Sequence, residues 1–162
     1  VISAVDLVRG IGRSAGLSVV EVPGITGYLD TNYEGKAQHA LDVLARDNFV
    51  YVHVEAPDEA GHNGDPQAKV QAINDFDARV VGPILDGLDR LGPSRILMTP
   101  DHPTPIALRT HSRDAVPFVL WGEGIAADGL QGYGERLAAE GSLHLEHGHW
   151  LIEYLRGTRP LQ

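Results

Sequence analysis

Two short stretches of the chain carry the side chains that bind hard cations. Asp58-Glu-Ala-Gly-His62 follows the run Phe49-Val-Tyr-Val-His-Val54, and Pro100-Asp101-His102 follows Arg95-Ile-Leu-Met-Thr99. Each sets a carboxylate and an imidazole just past a strand-like segment, and His111 comes soon after the second. Carboxylate and imidazole donors without thiolate suit Mn²⁺, Mg²⁺ or Zn²⁺. Two such cations a few ångströms apart can stabilise the attacking and leaving oxygens of an in-line phosphoryl displacement. Plainer readings stand beside this one. Asp58 can cap a turn and leave His62 on the surface. Pro100, Pro103 and Pro105 can make a rigid turn around Asp101-His102. His111 can be a solvent-exposed loop histidine. Together the five residues fit a two-metal site better than any one does alone.

The elements that must position them are legible from hydrophobic period and breakers. A short helix is predicted over residues 6–14 and a strand over 17–22, stopped by Pro23-Gly24. Thr31 or Asn32 can cap a helix reaching about Arg46, with Ala37, Ala40, Leu41 and Leu44 on one face. Residues 49–54 read as a β-branched strand buried on both faces. Asp65-Pro66 is a favourable helix start, and the helix is predicted to reach about Leu91. Val70, Ile73, Phe76, Val80, Ile84 and Leu88 form its apolar face, and Gly82-Pro83 predicts a kink. Strands follow over 96–99 and 116–121. A glycine-rich loop over 122–141 holds a short helix at 134–139, and a closing helix covers 149–155. Strands alternating with helices predict an α/β fold, a mostly parallel sheet flanked by helices. In such sheets ligands bind beyond the carboxyl ends of the strands, where both acid–histidine pairs fall. Asp58 and His62, four apart, share a face if helical and can still converge if the segment is a loop.

Composition narrows the function. The chain has 162 residues, enough for one sizeable core, with 43% hydrophobic and 22% charged residues, as in soluble globular proteins. A formal charge of -9 and no basic stripe disfavour nucleic acid and anionic membranes as partners. Apolar runs are strand-sized, so no transmembrane helix is expected. There is no cysteine, so any metal must rest on Asp, Glu and His. Cytoplasmic location is compatible with this composition. No Walker A loop is present, and Gly10-Ile-Gly12 is too short to be a dinucleotide motif. His53, between valines, reads as a packed, hydrogen-bonded histidine. His144, Glu146, His147 and His149 form a second cluster, read as the N-terminal turn of the last helix rather than a metal site.

Longer strings carry a family likeness. Val1-Ile-Ser-Ala-Val-Asp-Leu-Val-Arg-Gly-Ile-Gly12, Val22-Pro-Gly-Ile-Thr-Gly-Tyr-Leu-Asp-Thr-Asn-Tyr-Glu-Gly-Lys36 and Val52-His-Val-Glu-Ala-Pro-Asp-Glu-Ala-Gly-His-Asn-Gly64 are three of them. Pro100-Asp-His-Pro-Thr-Pro-Ile-Ala-Leu-Arg-Thr-His111 and Val116-Pro-Phe118 continue the match. The chain resembles the archaeal-type cofactor-independent phosphoglycerate mutases of the alkaline phosphatase superfamily. The resemblance implies interconversion of 3- and 2-phosphoglycerate through a phosphoserine at a dinuclear site, usually Mn²⁺. It makes Asp58, His62 and His111 ligands of one metal, and Asp101 and His102 ligands of the other. Arg9 and Lys36 lie in matching segments and are candidate contacts to the anionic substrate. Their plainer reading is as solvated helix residues.

The chain also departs from the family pattern. Its serines do not match the nucleophile position, and no strand followed by a metal-binding Asp precedes Val1. The expectation is therefore the C-terminal part of a phosphatase-like domain over 1–162, an incomplete fold. The nucleophile segment and an inserted substrate domain would lie outside it, and the piece alone would be inactive. Exposed sheet edge and apolar surface would favour self-association. Another phosphatase or phosphomutase of the superfamily is the alternative enzyme, since fold and metals do not fix substrate. A non-catalytic metal-binding module is the alternative outside enzymes.

Overall fold

The computed structural model describes residues 1–160. The chain divides into two compact units, one of Val1–Gly92 with Thr104–Ser112, the other of Pro93–Pro103 with the residues from Arg113 onward.

In the first unit, extended segments and helices alternate as the sequence pattern predicts. Helix α1 spans Asp6–Ser14, with Asp6 in its first turn and Arg13 in its last, the order the helix dipole favours. Helix α2 spans Tyr33–Leu44, and Asn32 caps it by accepting from the Gly35 N–H at 2.8 Å. Helices α3, Ala56–Asn63, and α4, Pro66–Phe76, are separated by Gly64 and Asp65. Asp65 caps α4 by accepting from the Ala68 N–H, and Pro66 starts it where no N–H is missed. A single π-helical turn, Asp77–Val81, joins α4 to α5, Gly82–Leu88.

That turn stands where the sequence predicts a kink. Pro83 has no N–H to give, and the Gly82 N–H reaches back five residues to the Asp77 carbonyl. The wider turn also changes the core face. Ala72 and Val80 are fully buried and Leu88 nearly so, with Phe76 and Ile84 packed beside them, an every-fourth-residue series. Such a series drifts by about 40° per step around an ordinary α-helix, and a π turn takes up part of the drift. Val70 and Ile73, expected in the core, are 59% and 50% exposed. The small Ala72 takes the core-facing position instead.

The strands expected in this unit survive only in part. Ile2 bridges Val52 in parallel, with Ile2 N–H to Tyr51 O at 2.8 Å and His53 N–H to Ile2 O at 2.9 Å. Val20 N–H bonds Val1 O on the other side, so residues 17–22 lie extended along Val1 without forming a ladder. Residues 49–54 are half-buried rather than enclosed on both faces, and Tyr51 is exposed. Tyr33, Ala56, Ala72 and Val80 form one core cluster, and Ile2, Val22 and Ala40 form another.

In the second unit, β1 (Arg95–Met98) pairs with β2 (Val119–Gly122) in antiparallel register, Arg95 opposite Gly122 and Met98 opposite Val119. The expected mostly parallel sheet is thus not what these strands form. A parallel pair needs a crossover, usually helical, and residues 99–118 between them hold turns and extended chain only. Helix α6 spans Glu135–Ala138, inside the segment predicted for it. One 3₁₀ turn, Gly148–Trp150, leads into α7, Leu151–Arg156. The second histidine cluster sits at this turn. The His147 and His149 rings stack at 5.5 Å between centroids, and each meets Trp150 edge-on.

Candidate metal centre

Helix α3 answers how Asp58 and His62 are related. Pro57 and the acidic Asp58 and Glu59 occupy its first turn, His62 its last, and Gly64 ends it in the left-handed conformation with φ 70°. Ala56, Ala60 and Gly61 are its buried residues. Asp58 and His62, at i and i+4, stand one above the other on a partly buried face. The capped-turn reading of Asp58 is set aside, since Asp58 lies inside the helix.

The third residue comes from a loop 49 positions away. His111 Nε2 lies 3.0 Å from His62 Nε2 and 3.6 Å from Asp58 Oδ1, while His62 Nε2 lies 3.4 Å from Asp58 Oδ2. Residues 104–111 reach this position through a tight turn in which the Leu108 and Arg109 N–H groups share the Pro105 carbonyl at 2.9 Å. Arg109 leaves the turn at φ 53°, the positive-φ non-glycine residue among those described. Its carbonyl faces His62 Nδ1 at 3.0 Å.

This contact decides the chemistry of His62. A carbonyl oxygen only accepts, so Nδ1 carries the proton and donates it to Arg109 O. In the neutral ring Nε2 is then a bare lone pair. It points at a carboxylate oxygen and at a second imidazole nitrogen. Lone pairs facing one another at this range repel, unless a proton or a cation stands among them. The three separations, 3.0, 3.4 and 3.6 Å, lie at or slightly beyond the edges, about 3.0 to 3.4 Å, of octahedral or tetrahedral shells with bonds of about 2.1 Å. The donor types therefore fit a divalent metal, and a far nitrogen bonded to a carbonyl is usual for histidines that ligate one.

Asp101 and His102 lie in the second unit, where His102 Nε2 is 3.4 Å from Asp101 Oδ2 and the His102 N–H donates to Asp101 Oδ1 at 3.1 Å. They form a local carboxylate–imidazole pair on the turn that the prolines predict. Arg9 is engaged by acids of its own unit. It donates to Glu21 and lies 3.8 Å from Asp6, while its Nε is buried without a hydrogen-bond partner among the described residues. Lys36 is fully buried and donates to the His53 carbonyl at 2.8 Å. Burial lowers its pKa to about 8, against the pull of Glu55. Burial in turn raises the Glu55 carboxyl above its usual range, helped by Glu59 and Asp58. His53 is held by Ser3 Oγ at 3.1 Å, as a packed histidine should be.

Sequence reasoning passed over Thr104. It is 3% exposed, and its hydroxyl donates to Asp58 Oδ1. Its place in the Pro-Asp-His-Pro-Thr-Pro string was the one signal available.

A model of the Metalloenzyme superfamily matches residues 1–153. The chain belongs to the Metalloenzyme superfamily. Among curated members of related sequence, it is 57% identical over 156 residues to a protein of Geobacter sulfurreducens named probable 2,3-bisphosphoglycerate-independent phosphoglycerate mutase. It is 51% identical to a Methanothrix thermoacetophila protein named 2,3-bisphosphoglycerate-independent phosphoglycerate mutase. Each match covers 96% of this chain but 39% and 40% of the relative, so the chain spans about two fifths of their length. The solved structure of the PH0037 protein from Pyrococcus horikoshii superposes with a TM-score of 0.90 at 34% identity, over 96% of this chain and 47% of that one. The likeness read from the motifs is borne out by these relatives. Within the Metalloenzyme superfamily, a metal-holding role for Asp58, His62 and His111 is in keeping with their geometry. Among the described residues, no helix is long and apolar enough to cross a membrane.

Proposed function

We propose that the protein carrying this chain interconverts 3- and 2-phosphoglycerate by divalent-metal-assisted phosphoryl transfer, without a bisphosphoglycerate cofactor. The observation that carries the metal chemistry is the convergence of Asp58, His62 and His111 with the His62 tautomer set by Arg109. The names of relatives 57% and 51% identical supply the substrate.

Asp58, His62 and His111 would hold one metal, and Asp101 and His102 would contribute to a second. Mn²⁺ is the preferred ion and the cytoplasm the preferred location. When bound, the metal supplies Lewis-acid stabilisation of charge on the transferring phosphoryl group. The chain's own residues do the rest of what is assigned here. Arg109 O keeps the His62 proton on Nδ1, so Nε2 stays a donor atom. Asp58 provides the negative charge that neutral imidazoles lack. Lys36 is assigned to the substrate side only through the His53 carbonyl that its buried ammonium holds, not by direct contact with the anion. Arg9 is the weaker assignment, because Glu21 and Asp6 already engage its guanidinium.

The test is a coupled assay for 2-phosphoglycerate formed from 3-phosphoglycerate by the protein carrying this chain, with no bisphosphoglycerate added. Turnover should vanish with chelator and return with Mn²⁺. Asp58→Asn should lose at least about 100-fold. Absent mutase turnover alongside vigorous hydrolysis of aryl phosphates would move the assignment to a phosphatase.

A further inference from the structure

Thr104 meets Asp58 through its side chain and helices α3 and α4 through its carbonyl. Its side chain is buried, and its hydroxyl donates to Asp58 Oδ1. Its carbonyl accepts from Lys69 Nζ at 2.7 Å, which ties the loop to α4. The same carbonyl lies against Gly61 of α3, where a β-carbon would come within 2.6 Å of it. Prolines on both sides stiffen the backbone, and the residue before Pro105 is confined to extended conformations. The hydroxyl is therefore presented to α3 from a fixed position.

Asp58 needs such a partner. Rotation of a carboxylate about χ2 is broad, so a half-exposed aspartate does not orient itself. Oδ1 faces both the Thr104 hydroxyl and His111, whereas Oδ2 faces His62. A donor anchored on Oδ1 holds the carboxylate plane so that each oxygen keeps its own imidazole. We infer that Thr104 is a positioning residue for Asp58, locked by Lys69 and by the bare backbone of Gly61, and that it sets the affinity of the site for a divalent cation. The inference rests on the metal reading given above.

Mn²⁺ binding tests it, read as the loss of the free-ion electron paramagnetic resonance signal in the protein carrying this chain. Thr104→Val, which keeps the shape and drops the hydroxyl, should weaken Mn²⁺ binding about 10- to 100-fold. Thr104→Ala should fall in the same range and serves if the valine variant folds poorly. Thr104→Ser should restore the wild-type dissociation constant although it loses the same methyl packing. Serine and alanine lose the same methyl group, so a role confined to methyl packing would not separate their Mn²⁺ affinities. If Thr104→Val and Thr104→Ala bind Mn²⁺ like wild type while Asp58→Asn does not, the positioning role is wrong and the metal reading stands. If the serine variant loses as much affinity as alanine, packing rather than the hydroxyl is responsible, and the inference falls. A wild-type protein that takes up no Mn²⁺, or an Asp58→Asn variant that binds it normally, overturns both readings together.

Discussion

Replacing Lys36 with methionine should make the protein more stable at neutral pH and less stable in alkali. Lys36 is fully buried on α2, with its ammonium on the His53 carbonyl. Loss of hydration lowers its pKa from 10.5 to about 8, a figure that already includes the attraction of Glu55. Between those two values the unfolded chain binds more protons than the native one. Wild-type stability therefore rises with pH across that window, and the cost of the buried charge is fully present below about pH 8. At 1.36 kcal/mol per pH unit, the shift corresponds to a cost of about 3 kcal/mol at pH 7. Methionine removes the charge and keeps the stem, but loses a hydrogen bond worth about 1 kcal/mol. The variant should thus be more stable by about 2 kcal/mol at pH 7. Its advantage should shrink by about 2 kcal/mol towards pH 9.5 and reverse beyond it, where the neutral amine still bonds His53. Urea unfolding of both proteins at several pH values gives the difference directly. A variant less stable than wild type at pH 7, with a gap indifferent to pH, would refute the reasoning.

Three further substitutions probe the frame of the site. Gly61→Ala brings a methyl group against the Thr104 carbonyl, and should cost about 1–3 kcal/mol in denaturant unfolding while weakening Mn²⁺ uptake. Arg109→Val places a β-branched residue at φ 53°, and should cost a similar amount, about 1–3 kcal/mol, with a matching loss of metal affinity as the His62 contact is disturbed. Asp65→Ala removes the cap of α4 and should lower stability by about 1 kcal/mol, leaving Mn²⁺ affinity unchanged, because the cap touches no donor.

Much of the helical frame is legible in the sequence. Helix α1 coincides with its predicted span, and the caps Asn32 and Asp65 act as their side-chain chemistry requires. These are short-range effects, settled within one turn of chain. The apolar face of α4 was misjudged at Val70 and Ile73, because a π turn downstream changes the phase of the helix and hydrophobic spacing alone assumes a constant one. The sequence does not show the direction of β1 and β2, because a short apolar run looks the same whichever way its partner points.

The candidate site divides in the same way. The amino-acid sequence by itself determined the donor types, the absence of thiolate, and the i, i+4 pairing of Asp58 with His62 once that segment is helical. It also carried the family likeness in long contiguous strings. Only the tertiary structure decided that His111 meets His62 at 3.0 Å, that Arg109 turns its carbonyl onto Nδ1, and that Thr104 holds Asp58. Those contacts join residues 46 to 49 positions apart. No local propensity encodes such a meeting. It follows from where helix α3 and the 104–111 loop come to rest once Gly61 lets their backbones approach.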